Sequence, residues 1–112
     1  MTYATNFEKY AIRVLCGSYI SKELLSKLLE SEASDFKYSG SGYFLYFKHK
    51  DLPKNRIVCD DPKLKGEWNG IESGFLVFLE NHELMLECHT WGEVDVPQDY
   101  REKSVSVSQI EI

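Results

Sequence analysis

The segment that most constrains the fold of this 112-residue chain is 74–91, where two runs of alternating side chains flank Asn81-His82. A period of two puts successive residues on opposite faces of a strand. A two-residue loop led by Asn, which tolerates positive φ, closes a tight hairpin. Strands are therefore expected over Gly74–Glu80 and Glu83–Trp91. The loop then sets the register: Leu79 opposite Leu84, Val77 opposite Leu86 and Phe75 opposite Cys88, an apolar face expected to be buried. The other face pairs Phe78 with Met85, Leu76 with Glu87 and Gly74 with His89. A slip of one residue would mix the two sets, so the register is well specified. One conflict remains, because Glu80 falls opposite Glu83 and facing like charges are destabilising.

Upstream the period becomes helical. Thr5 with Glu8 three residues later forms a capping-box pattern, opening a helix that runs to about Cys16. Phe7, Tyr10, Ala11, Val14 and Leu15 make its apolar stripe, and Gly17 is expected to end it in a left-handed conformation. A second helix is expected from the N-cap Ser21 to about Ser31, with Leu24, Leu25, Leu28 and Leu29 on its apolar face.

From Asp35 the chain alternates again. A strand through Phe36 and Tyr38, a turn at Ser39–Gly42, an aromatic strand Tyr43–Phe47 and a short strand Arg56–Cys59 are expected. Lys63–Ser73 shows no period and is expected to be irregular. Val105 and Val107 mark a last strand, and the changed phase of Ile110 and Ile112 points to a bulge or strand end near Ser108. The chain is thus expected to be one α+β domain over 1–112: two N-terminal helices packed on a mostly antiparallel sheet of five or six strands, able to curl strongly. One core is what this length allows.

Charge is divided unevenly. Residues 1–66 carry eleven Lys/Arg against eight Asp/Glu, whereas residues 67–112 carry two against ten. An acidic C-terminal half repels phosphate backbones and suits a basic partner. Lys48, His49, Lys50, Lys54 and Arg56 form a small basic cluster, but within an acidic whole it argues weakly for nucleic acid and reads better as a charged sheet end. No apolar run approaches membrane-spanning length, and the N-terminal apolar pattern is broken by Glu8, Lys9 and Arg13. Cys16, Cys59 and Cys88 are odd in number, widely separated and free of any C-x-x-C pair. They are expected to be reduced, buried thiols in a cytoplasmic protein.

No pattern specifies a reaction. Cys88 and His89 are adjacent on a strand, point to opposite faces and cannot form a nucleophile–base pair. His49, His82 and His89 lack metal-ligand spacing, and Ser39-Gly40-Ser41-Gly42 has no following helix to hold a phosphate. Neither a catalytic residue, a cofactor nor a metal is therefore expected.

Two functions fit this composition. The first is a small acidic, non-catalytic protein-interaction module, comparable in size and charge alone to inhibitor and immunity-type proteins that act on a basic partner. Its surface would comprise Phe78, Met85, Glu87, His89, Trp91, Glu93, Asp95 and Trp68, and dimerisation would satisfy the same surface. The second is a small-molecule-binding protein or small hydrolase, with an aromatic-lined pocket near His89 and Glu93. Side chains as apolar as Leu76, Phe78, Met85 and Trp91 on one sheet face need covering: by curling of the sheet, by the 62–73 segment folding across with Trp68, or by another chain.

Overall fold

The computed structural model describes residues 1–92 and 94–110. The expectations for Glu93 and Ile112 lie outside the described residues. Helix α1 spans Asn6–Cys16 and α2 spans Lys22–Glu30. They are followed by β1 (Asp35–Tyr38), β2 (Gly42–Lys48), β3 (Ile57–Cys59), β4 (Leu64–Trp68), β5 (Ile71–Glu80) and β6 (Glu83–Thr90). A short 3-10 turn, Tyr100–Glu102, precedes β7 (Ser106–Gln109), so the last strand ends next to Ser108.

All strand pairs are antiparallel, in the order β1-β2-β6-β5-β4-β7, with β3 also paired to β5. β4 takes residues 71–74 of β5 and β3 takes 77–79, so the seven strands among the described residues occupy six positions across an open sheet. The hairpin register is the one its periodicity specifies: Leu79↔Leu84, Val77↔Leu86, Phe75↔Cys88 and Glu80↔Glu83. At its tip Asn81 and His82 both adopt positive φ, 53° and 62°. A histidine tolerates this because the 49–56 loop grips it: its Nδ1 lies 2.9 Å from the Leu52 carbonyl, and its N–H donates to Pro53.

Both helices cover one face of the sheet. Leu25, Leu28 and Leu29 of α2, and Phe7, Ala11, Ile12 and Leu15 of α1, share one core with Tyr43, Leu45, Phe47, Val77, Leu79, Leu84, Leu86 and Cys88. Phe7 meets Phe75 and Tyr100 edge to face, each at 6.1 Å between centroids. Ser21 caps α2, its Oγ accepting from the Leu24 N–H at 3.2 Å.

Three expectations are corrected. The buried stripe of α1 runs through Phe7, Glu8, Ala11, Ile12, Leu15 and Cys16, rotated away from Tyr10, which is exposed. Gly17 does follow the helix, but in a right-handed conformation (φ −60°, ψ −23°), with the Tyr19 and Ile20 N–H groups both donating to the Cys16 carbonyl. Residues 63–73 are not irregular: β4 and the start of β5 form a second hairpin, turning at Asn69 (φ 52°) and Gly70 (φ 82°). Trp68 pairs with Ile71 in that hairpin and packs against the helix-covered core, with Lys103 Nζ 4.9 Å from its ring centroid.

The core also holds polar groups that are hydrogen-bonded to one another. The Glu8 carboxylate is fully buried and accepts from the Thr5 N–H (2.8 Å), the Tyr43 hydroxyl (2.6 Å) and Arg101 Nε (2.7 Å) and Nη2 (2.8 Å). Arg101 also donates to the Tyr3 carbonyl and lies 5.2 Å from the Phe36 ring centroid. Elsewhere in the core, Ser73 Oγ is 3.0 Å from the Tyr100 hydroxyl.

Burial pushes the Cys88 thiol up to about 12, and raises Tyr43 and Tyr100 above the ordinary tyrosine value. These groups keep their protons in the fold at a pH where they lose them in the unfolded chain. Their contribution is therefore fully present below the unfolded values and is lost as pH rises. For Cys88 the loss runs from about 9 towards 12, at roughly 1.4 kcal/mol per pH unit. Urea midpoints measured at pH 8 and pH 11 should fall at the higher pH, and by less in a Cys88→Ala variant. Equal midpoints at the two pH values would contradict this.

Candidate functional site

Because β5 and β6 alternate strictly, the residues that do not face the helices share the outer face of the sheet. Phe78 pairs with Met85, Leu76 with Glu87 and Gly74 with His89. On the far side of β6, Tyr46 pairs with Met85 and Phe44 with Glu87. Leu76, Phe78, Met85, Phe44 and Tyr46 are all half-buried, shielded by one another and by the stems of charged neighbours. Lys37 lies over Tyr46 and Arg56 over Phe78, each 5.3 Å from the ring centroid. Among the described residues, neither helix reaches this face.

The apolar strip ends at Trp91, which is 47% exposed. Its position depends on a glycine. A Cβ built at Gly74 would stand 2.3 Å from Trp91 Nε1 and 2.9 Å from His89 Nε2, so indole and imidazole occupy the space a side chain there would fill. The His89 Nδ1 lies 3.3 Å from Glu87 Oε2 but without hydrogen-bond alignment, and among the described residues that nitrogen has no other partner. The depression lined by Gly74, Leu76, His89 and Trp91 measures about 150 Å³.

Of the expected surface, Phe78, Met85, Glu87, His89 and Trp91 therefore lie together on the outer face. Trp68 does not; the β4–β5 register turns it to the opposite, core side, which corrects its inclusion. Asp95 stands apart from the strip, exposed beside the β1–β2 turn, about 4 Å from where a Gly40 side chain would begin. Periodicity overlooked the flanking contributors Phe44, Tyr46, Val58 and Arg56. Phe44 and Tyr46 alternate with the buried Tyr43, Leu45 and Phe47, so the β2 period already contained them. Arg56 and Val58 join only through the pairing of Val58 with Phe78.

Chemically, the outer face offers apolar contact edged by charge. Glu80, Glu83 and Glu87 border Phe78 and Met85 in a second depression, of about 280 Å³, which also takes in Arg56. A larger hollow, of about 470 Å³, sits at the α1–α2 turn between Arg13, Ile20, Lys22 and Leu25, on the helix side of the sheet. No group of three or more His, Cys, Asp or Glu residues able to hold a metal occurs among the described residues. Nor is any described helix long and apolar enough to cross a membrane. The three cysteines are free and buried, and Cys88 faces the core while His89 faces outward. Comparison with protein-family models, with curated proteins and with solved structures found no match.

Proposed function

We propose that this protein is a non-catalytic interaction module that presents the outer face of its sheet to another protein. The observation that carries this is a mid-sheet strip of half-buried apolar side chains, Leu76, Phe78 and Met85 with Phe44 and Tyr46 alongside, over which no helix packs among the described residues. Antiparallel sheets with one solvated face normally alternate apolar with polar side chains. A contiguous apolar strip rimmed by charge is instead the anatomy of a contact surface, with large aromatics as its anchors. The acidic rim of Glu80, Glu83 and Glu87 suits a basic partner, whose encounter it would accelerate. Blocking or escorting such a partner, as small inhibitor proteins do, needs no chemistry of its own. A reducing, cytoplasmic setting accords with three free, buried thiols.

The alternative of a small-molecule site near His89 finds less support. Its depression of about 150 Å³ is well below the ~300–1,000 Å³ of ordinary ligand pockets.

Two substitutions test the surface. Phe78→Asp and Trp91→Ala should leave the fold intact, each costing no more than about 1.5 kcal/mol, because both side chains stand on the outer face. Both should abolish association, read by sedimentation for self-assembly and by partner capture for a foreign chain. Unfolding of both variants would make these residues core, and unchanged association would leave the face without a role.

A further inference from the structure

Resting on that docking face, we infer that the partner presents an arginine, received in the depression over Phe78 and Met85 between Glu80, Glu83 and Glu87. This place already accommodates one guanidinium. Arg56 lies 5.3 Å from the Phe78 ring centroid and 3.8 Å from Glu80 Oε1. A planar cation stacked on an aromatic face and met by a carboxylate is a favoured environment for arginine, and a poorer one for the strongly hydrated ammonium of lysine.

Arg56 does not use the site up. Its side chain is 61% exposed, and it stands at the exit of the 49–56 loop, immediately before β3. Among the described residues its one ion pair is with Glu80, whereas Glu83 faces Glu80 directly across the hairpin and Glu87 lies on the same face of β6, beyond Met85. Lys48 is paired with Glu83 along the backbone, yet the described residues show no ion pair between them. Among the described residues, the one basic group within 4 Å of the Glu87 carboxylate is His89, at 3.3 Å. Three carboxylates therefore surround an apolar floor with one arginine among them. Facing like charges are unfavourable across a strand pair, and an incoming cation relieves that repulsion. The same charges repel phosphate, which sets a basic protein segment apart from nucleic acid as the occupant.

The test uses the full chain and two fluorescein-labelled peptides of equal length and charge, one of spaced arginines and one of spaced lysines, in 150 mM salt to screen diffuse attraction. Anisotropy titration should show the arginine peptide binding about fivefold tighter than the lysine peptide. The double variant Glu83→Gln/Glu87→Gln should weaken it about tenfold. Glu67→Gln/Glu72→Gln, an equal charge change at the outward-facing pair near the other end of β5, should weaken it less than about twofold. Phe78→Leu keeps the floor apolar and should erase the preference for arginine. Equal weakening by the two glutamine pairs, equal binding of the two peptides, or an unchanged preference in Phe78→Leu would each overturn the arginine pocket. Loss of partner association in Phe78→Asp, with none in Glu83→Gln/Glu87→Gln, would keep the docking face and overturn the pocket alone. Association unaffected by either would overturn both.

Discussion

Arg101→Ala should destabilise the protein by about 3–5 kcal/mol, because it strands a buried carboxylate without its counter-charge. Glu8 is wholly inaccessible, and Arg101, at 17% side-chain exposure, supplies two of the four hydrogen bonds it accepts. The substitution also removes the guanidinium from beside the packed Phe36 and Tyr43 rings, and frees the 3-10 turn from the Tyr3 carbonyl. The energetic argument can be separated from simple loss of packing. Adding Glu8→Gln to the Arg101→Ala variant removes the unpaired charge but restores no contact, and should recover at least ~1 kcal/mol. Urea denaturation of wild type and the two variants at pH 7 gives both differences. An Arg101→Ala cost below about 1 kcal/mol would mean that water or a neighbouring group compensates Glu8.

Leu86→Ala should cost about 2–5 kcal/mol and lower the melting temperature by roughly 10 °C or more. Leu86 lies on a central strand between Leu45 of β2 and Val77 of β5, and all three are fully buried under the helices. Paired strands on both sides hold its surroundings in place, so the cavity left by truncation can close only partly. Met85, its neighbour in sequence, faces the other way and is half-buried; Met85→Ala should cost less than half as much. Thermal unfolding of the two variants side by side measures the difference between the faces of β6. A larger loss for Met85→Ala would mean that the outer face, and not the helix-covered one, is the true core.

The site was legible in part. Phe78, Met85, Glu87, His89 and Trp91 share a face because a period of two and a two-residue loop leave one register open to the hairpin, and both signals are local. The companion hairpin was missed although Asn69-Gly70 is a strong turn signal. Its first strand, Leu64–Trp68, is short and has a glycine at the core-facing position between Leu64 and Trp68. A side chain at Gly66 would stand 2.6 Å from Ser73 Oγ and 3.0 Å from the Phe75 ring, so close packing there requires a residue that erases the apolar alternation. The error then carried Trp68 to the wrong side of the sheet.

Local sequence alone determined the ends of the two helices, the main hairpin and its register, since caps, turns and periods act over a few residues. Tertiary structure decided which stripe of α1 is buried, where Trp68 points and how Glu8 is neutralised. Glu8 meets an arginine 93 positions away, across a gap closed only when the last turn folds back over α1 and β2. Such choices compare the burial of whole faces and the pairing of distant charges, and no window along the chain contains both partners.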